Sequence, residues 1–145
     1  MITRCHIYGL GVLLLVLGSG ICSGTTCYVA TNGNNANPGT FQAPWRTPGY
    51  ASRQLRPGDT LIIRGGRYVL SVYDDDIVIP PTGRSDAWIT ITGENGQRPV
   101  LAGRDNLLTA LDLSGRSYIR VSNLEITHDD RVAARVADRR HPDRR

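Results

Sequence analysis

The 145-residue chain contains no lysine, one phenylalanine and one methionine. All 17 Lys/Arg positions are therefore arginines, and a basic side chain acting as proton-abstracting base would have to be arginine or histidine. Scarce phenylalanine and methionine beside 16 glycines suit a turn-rich structure rather than a helical bundle. There is no C-x-x-C pair, so a zinc or redox site has no support. No Ser/His/Asp set, phosphate loop or dinucleotide fingerprint occurs. The longest apolar run, Leu10 to Leu17, is too short for a bilayer, which takes about 20 apolar residues.

What charge there is lies at one end. Residues 1–130 carry 11 arginines and 11 acids, so the net charge of +4 belongs entirely to residues 131–145. A basic tail can hold phosphates, but without a basic fold or interleaved aromatics the composition argues against nucleic acid as a partner. Residues 1–24 read as a secretory leader. Arg4 gives the positive start, Leu10–Leu17 the apolar segment, and Gly18, Ser19, Gly20, Ser23 and Gly24 the small residues around cleavage after Gly20 or Gly24. A lipid-modified Cys22 is the alternative, although Ile21 is bulky for such a signal. The expected location is secreted or extracytoplasmic, with no membrane span. Cys5 would leave with the leader. A Cys22–Cys27 bridge and a lone Cys27 thiol both remain open.

The organising stretch is Arg56 to Tyr68. Pro57-Gly58-Asp59 is a turn signal, a short apolar strand follows, and Gly65-Gly66 breaks it. Leu61, Ile63 and Gly65 match Ile89, Ile91 and Gly93, which in turn match Ile119, Val121 and Asn123. The second step, Ile89 to Ile119, is slightly longer than the first, Leu61 to Ile89. Trp88 and Tyr118 precede the last two strands. Such a period marks stacked units that bury their apolar faces against one another. Further short strands are expected at Ile77-Val78-Ile79, Val100-Leu101, Leu111-Asp112-Leu113 and Leu124-Glu125-Ile126. No helical pattern separates them, which argues against βαβ units.

Residues 25–59 therefore read as an N-terminal strand, loop and capping helix, and residues 60–127 as coils. The strand is Cys27–Ala30 and the loop Thr31–Thr40. Thr47 stands as N-cap and Pro48 at the first helical position, with the helix running to about Leu55 despite Gly49. Ala51 and Leu55 share its apolar face. Residues 128–145 lose all alternation and read as a disordered basic tail or an out-of-frame end of a longer protein. Lacking a cap, the last coil would leave an open strand edge, so self-association through the C-terminal end is expected.

From Tyr28 to Ile126 the chain resembles the N-terminal part of the right-handed parallel β-helix proteins of the pectate-lyase-like superfamily. The residues that carry this are Asn37-Pro38-Gly39-Thr40, Pro44-Trp45-Arg46-Thr47, Pro57-Gly58-Asp59-Thr60, Arg64-Gly65-Gly66 and Tyr68. Trp88-Ile89-Thr90-Ile91 with Gly96, Pro99 and Val100, and Tyr118-Ile119-Arg120-Val121 with Asn123-Leu124-Glu125-Ile126, complete the set. The resemblance implies an all-β class: the first coils of a right-handed parallel β-helix, three sheets per coil, with a short N-terminal capping helix. It also implies an extracellular polysaccharide as ligand and, in many relatives, calcium-dependent lysis of polyuronates. Pro48-Gly49 departs from the uninterrupted helix of relatives, and the pattern fails past Thr127. The catalytic coils of such lyases lie beyond this chain, so no catalytic or metal-binding residue is assigned and no cofactor is expected in it, calcium belonging to a full-length relative. A non-catalytic carbohydrate-binding or scaffold protein on the same coils is the second reading, and a small antiparallel β-sandwich the third.

Three constellations stand out. Asp74-Asp75-Asp76 could supply part of a calcium site, but reads first as a solvated loop between coils. His128-Asp129-Asp130 could be a ligand pair or a base with its orienting acid, but sits where the pattern dissolves. Arg64, Arg67, Arg104, Arg116 and Arg120 lie on or beside repeat strands, where a ladder of guanidinium groups would suit a polyuronate and solvated side chains are the plainer reading. Asn123, at a strand end, is read as architecture.

Overall fold

Short strands whose side chains alternate between interior and surface wind through the chain in parallel. The computed structural model describes residues 24–71, 76–104 and 107–128. Within them lie β1 (Thr26–Val29), α1 (Pro48–Gln54), β2 (Thr60–Ile63), β3 (Arg67–Leu70), β4 (Ile89–Gly93), β5 (Val100–Gly103), β6 (Ile119–Ser122) and β7 (Glu125–His128). One sheet has the order β1-β2-β4-β6 and the other β3-β5-β7. Every pairing in both is parallel. This is a parallel β-helix, and the antiparallel sandwich is excluded.

Two expectations about the coils are corrected. The segments around Val78 and Leu111 form a single parallel bridge rather than strands, so the third side of each coil is barely a sheet. The register between the first two repeats also differs. Leu61 pairs with Ile91 rather than Ile89, and Ile63 with Gly93 rather than Ile91. The next step, Ile89 to Ile119, is as expected, and the two steps are therefore equal. A slip of this kind, from one inward residue to the next, keeps every side chain on its own face, so alternation alone could not detect it.

The interior is a column of aliphatic side chains. Leu61, Ile63, Ile89, Ile91, Leu101 and Val78 are completely buried, with Val29, Tyr68 and Leu70 beside them. Each such aliphatic group contributes about 1.5–3 kcal/mol through removal from water. In the last described coil burial falls away: Ile119 and Val121 are half-buried, and Ile126 is 54% exposed.

The opposite end is closed. The loop over residues 37–45 runs along the outer edge of β1, where Tyr28 N–H donates to Gly39 O (2.8 Å), Trp45 N–H to Tyr28 O (2.9 Å) and Ala30 N–H to Trp45 O (2.9 Å). Trp45 is buried there, its indole N–H donating to Asn37 O (2.7 Å). Helix α1 completes the cap with Ala51 and Leu55 inward, as the sequence suggested.

The helix starts where expected, with Thr47 as N-cap and Pro48 first, but without the side-chain bond of a cap. The Thr47 hydroxyl makes no cap bond; its oxygen accepts from Asn35 Nδ2 (3.0 Å), and the turn begins on Pro48. Gly49 is not a weakness either. A Cβ there would collide with the backbone of Asp76, so glycine lets the helix lie against the coil. Ser52 ties the two together, its hydroxyl donating to Gly49 O (2.8 Å) and accepting from Ile79 N–H (2.9 Å).

The turn into β2 is built as the sequence implied. Gly58 takes φ +96°, and the Asp59 carboxylate accepts from Arg56 N–H (2.7 Å) and Thr25 N–H (2.8 Å). The leader expected over residues 1–24 lies outside the described residues except for Gly24, which packs on Gly58. The tail beyond His128 also lies outside them. No helix among the described residues is long and apolar enough to cross a membrane.

Candidate functional site

Where the inner residues of the four-stranded sheet form the core, the residues between them form an outer face. In register across it run Thr60, Thr90 and Arg120, then Ile62, Thr92 and Ser122. The Ser122 hydroxyl donates to Thr92 Oγ1 (3.0 Å), so neighbouring coils are linked on the outside as well as through the ladder. The face is narrow, hydroxyl-rich and short of apolar bulk except at two places.

The first is at the entry to β4 and β6. Trp88 and Tyr118 meet edge to face, their centroids 5.8 Å apart and their planes at 73°. Arg120 lies over Trp88, with Cζ 5.7 Å from the ring centroid. The rings remain 44% and 42% exposed, so part of each face is open to solvent.

The second is at the exit of β1 and β2. Phe41, from the capping loop, packs edge to face on Tyr28 at 5.3 Å. Arg64 lies over the Phe41 ring at 4.7 Å and pairs with Glu94 at 3.6 Å. Beside them is an open cleft of about 360 Å³, lined by Asn32, Arg64, Glu94 and Gln97. Tyr68 lies behind the cleft, its hydroxyl donating to Arg64 O (2.8 Å). Burial pushes the Tyr68 phenol up to about 12; Arg64 opposes the shift and Glu94 adds to it. By strand spacing and rise the two aromatic corners stand roughly 16 Å apart, diagonally across the face.

An exposed ring can lie against the C–H face of a sugar, while guanidinium, hydroxyl and amide groups hydrogen-bond its oxygens. Rings with rows of threonine and serine between them therefore offer an extended contact for a polyhydroxylated chain.

The expected constellations fare differently. The five arginines do not form a ladder. Arg64 and Arg120 belong to the outer face just described, while Arg67 opens β3 on the other sheet. Arg104 follows β5, and Arg116 turns back onto Ser114 O (2.8 Å). The stacking steps of the second sheet, Arg67 to Val100 and Val100 to Glu125, are unequal and set no arginine above another. Asp74 and Asp75 lie outside the described residues. Asp76 is not a solvated loop residue: it is buried beneath α1 at 6% exposure. His128 ends β7 opposite Gly103, with Asp129 and Asp130 outside the described residues. Among the described residues no three His, Cys, Asp or Glu side chains gather as a metal site. Asn123 is structural, at φ +51°, with Nδ2 donating to Glu94 O (3.1 Å) in the coil before. Cys27 is a free thiol, its pKa pushed up by burial and by the Asp59 charge.

The Trp88–Tyr118–Arg120 corner was absent from the sequence-based sites, although its signal was present. Trp88 and Tyr118 stand directly before the matched residues Ile89 and Ile119, and Arg120 follows on the same strand. Phe41 had no such signal, because a loop brings it to the face.

The parallel ladders and the closed end define a capped β-helix module. Residues 27–141 match the family described as Pel9A-like, right handed beta helix region, and the chain belongs to that family. It is thus a right-handed parallel β-helix of pectate-lyase-like type. It is similar to the lacto-N-biosidase of Bifidobacterium longum subsp. longum, with 33% identity over 139 residues, covering 74% of this chain and 8% of that protein. Among solved structures it resembles the complex of XylC with xylose (28% identity, TM-score 0.48, 53% of this chain and 11% of that one). It also resembles a rhamnogalacturonan lyase (20% identity, TM-score 0.47, 71% and 27%). The chain therefore spans only a small part of the proteins it matches.

Proposed function

We propose that this chain is an exported β-helix module of a polysaccharide-active protein, and that its described coils bind a glycan across the outer face of the four-stranded sheet. The observation that carries the reading is the exposed Trp88–Tyr118 pair with Arg120 over the indole. The similarity to lacto-N-biosidase, whose name denotes action on a glycan, supports it. Trp88 and Tyr118 supply apolar contact, Arg120 and the Thr90, Thr92 and Ser122 row supply hydrogen bonds, and the Arg64–Glu94 cleft extends the surface. Binding, not turnover, is the role assigned to these coils. In this reading the purified chain yields no unsaturated product from polyuronates, with calcium or without it. Export through a leader in residues 1–24 belongs to the same proposal.

Fluorescence tests the binding directly. The chain has two tryptophans; Trp45 is buried and Trp88 exposed, so ligand-dependent emission reports on Trp88. Oligosaccharides drawn from a glycan array are expected to change it saturably, and Trp88→Ala to weaken array binding at least about tenfold. Binding untouched by both Trp88→Ala and Arg120→Ala, or no glycan bound at all, would overturn the proposal.

A further inference from the structure

The cleft beside Phe41 has walls that the backbone holds in place. Arg64 N–H donates to Val29 O (2.9 Å) and Glu94 N–H to Ile63 O (2.9 Å), so the two residues stand one coil apart at the same strand exit. Gln97 N–H closes a turn onto Glu94 O (3.1 Å), and Asn123 Nδ2 reaches the same oxygen from the next coil (3.1 Å). On the other side, the turn closed by Gly33 N–H to Ala30 O (2.8 Å) presents Asn32. Gly65 leaves room at the base, where the Gln97 carboxamide occupies the space that a Cβ would take.

The side chains on these walls are little used by the fold itself. Asn34, Asn35 and Asn37, in the same loop as Asn32, all fasten that loop through hydrogen bonds. Asn32 and Gln97 make no side-chain hydrogen bond among the described residues. Arg64 Nε and Glu94 Oε1 approach only to 3.6 Å, beyond a hydrogen bond, with the side chains 34% and 24% exposed. The guanidinium otherwise rests on the Phe41 ring at 4.7 Å. Its terminal nitrogens and the Glu94 carboxylate thus keep their hydrogen-bonding capacity, side by side at one cleft.

We propose that this cleft is a subsite for an uncharged sugar residue, two adjacent hydroxyls being held between Glu94 and Arg64 and the rest of the ring by Asn32 and Gln97. The inference rests on the glycan-binding reading of the outer face and gives that reading a ligand class. A vicinal diol suits the pair because each hydroxyl both donates and accepts. It donates to the carboxylate and accepts from the guanidinium, and bonds to ionised partners are the stronger kind. An ionised sugar acid meets a different balance. The carboxylate that pairs with Arg64 is brought against Glu94, and like charges in one site repel. A cationic amino sugar meets Arg64 in the same way. An uncharged ring gains from both groups and is opposed by neither. The volume of about 360 Å³ lies within the range of small-ligand sites. Glu94 is therefore a specificity-determining residue.

Nuclear magnetic resonance on the purified chain tests this, read at the side-chain amides of Asn32 and Gln97. The probes are methyl glucoside and methyl galactoside, each beside the uronide made by oxidising its C6 to a carboxylate. The neutral sugars are expected to shift both amides saturably and to bind at least about tenfold more tightly than their uronides. Glu94→Gln keeps the size of the side chain and every backbone bond. It is expected to weaken the neutral sugars about tenfold and to abolish their preference over the uronides. Amides unmoved by either neutral sugar, uronides bound as tightly as their neutral partners, or a preference unchanged in Glu94→Gln would each overturn the inference. The glycan face has its own readout. Array binding that falls in Trp88→Ala while the two amides stay still under sugar removes the cleft and keeps the face. Amides that shift in a chain whose array binding ignores both Trp88→Ala and Arg120→Ala keep the cleft and remove the face.

Discussion

Asp59 holds the backbone amide of Thr25 at 2.8 Å across 34 residues of chain. Its second oxygen accepts from Arg56 N–H at 2.7 Å, so one buried carboxylate fastens the turn into β2 and the start of β1 together. The bond is charge-assisted at both oxygens. In Asp59→Asn one of the two acceptors becomes a donor facing an amide. We expect a loss of about 1–3 kcal/mol, read as a lower urea midpoint with an unchanged slope. An unshifted midpoint would show the clasp to be dispensable.

Gly49 sets two effects against each other. Alanine favours a helix over glycine by roughly 1 kcal/mol. The added Cβ, however, would run into the backbone of Asp76, which cannot swing aside as a flexible side chain could. We expect the clash to win and Gly49→Ala to destabilise the chain by about 1–3 kcal/mol. A gain in thermal midpoint would mean that the helix sits more loosely on the coil than described.

Tyr68 links stability to alkaline pH. Burial raises its phenol from 10.0 to about 12 in the folded chain. The unfolded chain therefore releases the proton first. The stabilising contribution is complete below pH 10, shrinks as pH rises, and is exhausted near pH 12. Tyr68→Phe should flatten the fall in urea midpoint over this window, at the cost of the bond to Arg64 O (2.8 Å). A slope identical in both proteins would refute the assignment.

Asn123 combines a positive φ with a bond to the preceding coil. Asn123→Gly keeps the backbone free to adopt that φ and loses only the side-chain bond, whereas Asn123→Ala loses both. The expected order of stability is Asn above Gly above Ala, with about 1–2 kcal/mol between the first and the last. Equal stability of the glycine and alanine variants would remove backbone strain from the account.

Much of the fold was legible because its causes are local. Pro57-Gly58-Asp59 is a strong turn signal, and the Asp59 carboxylate finds the Arg56 amide three residues back, although its second partner, Thr25, is distant in sequence. Thr60 to Ile63 and Ile89 to Gly93 alternate because one face of each strand is buried, and that pattern is written in the residues themselves. The repeat from Ile89 to Ile119 followed from the same pattern. The site was less legible. Tyr118 and Trp88 were visible as successive aromatics, but their contact depends on Ile119 stacking directly on Ile89. Arg64, Arg67 and Arg104 look alike in sequence, yet Arg64 follows a strand of the four-stranded sheet while Arg67 and Arg104 flank strands of the other.

By itself, then, the sequence determined most of the strands, their turns, the capping helix and which residues of those strands face inward, since these follow from short-range sterics and from burial at period two; it did not reveal β3, and it marked strands around Val78 and Leu111 where only a bridge forms. It could not determine which residue stands above which. Leu61 over Ile89 and Leu61 over Ile91 satisfy the same alternation, and only the stacked structure selects Ile91, setting Gly93 beside Ile63 at the end of the strand. Packing between coils makes that choice. It also makes the outer face, because a ring such as Phe41 reaches Arg64 only after the loop has closed over the first strand.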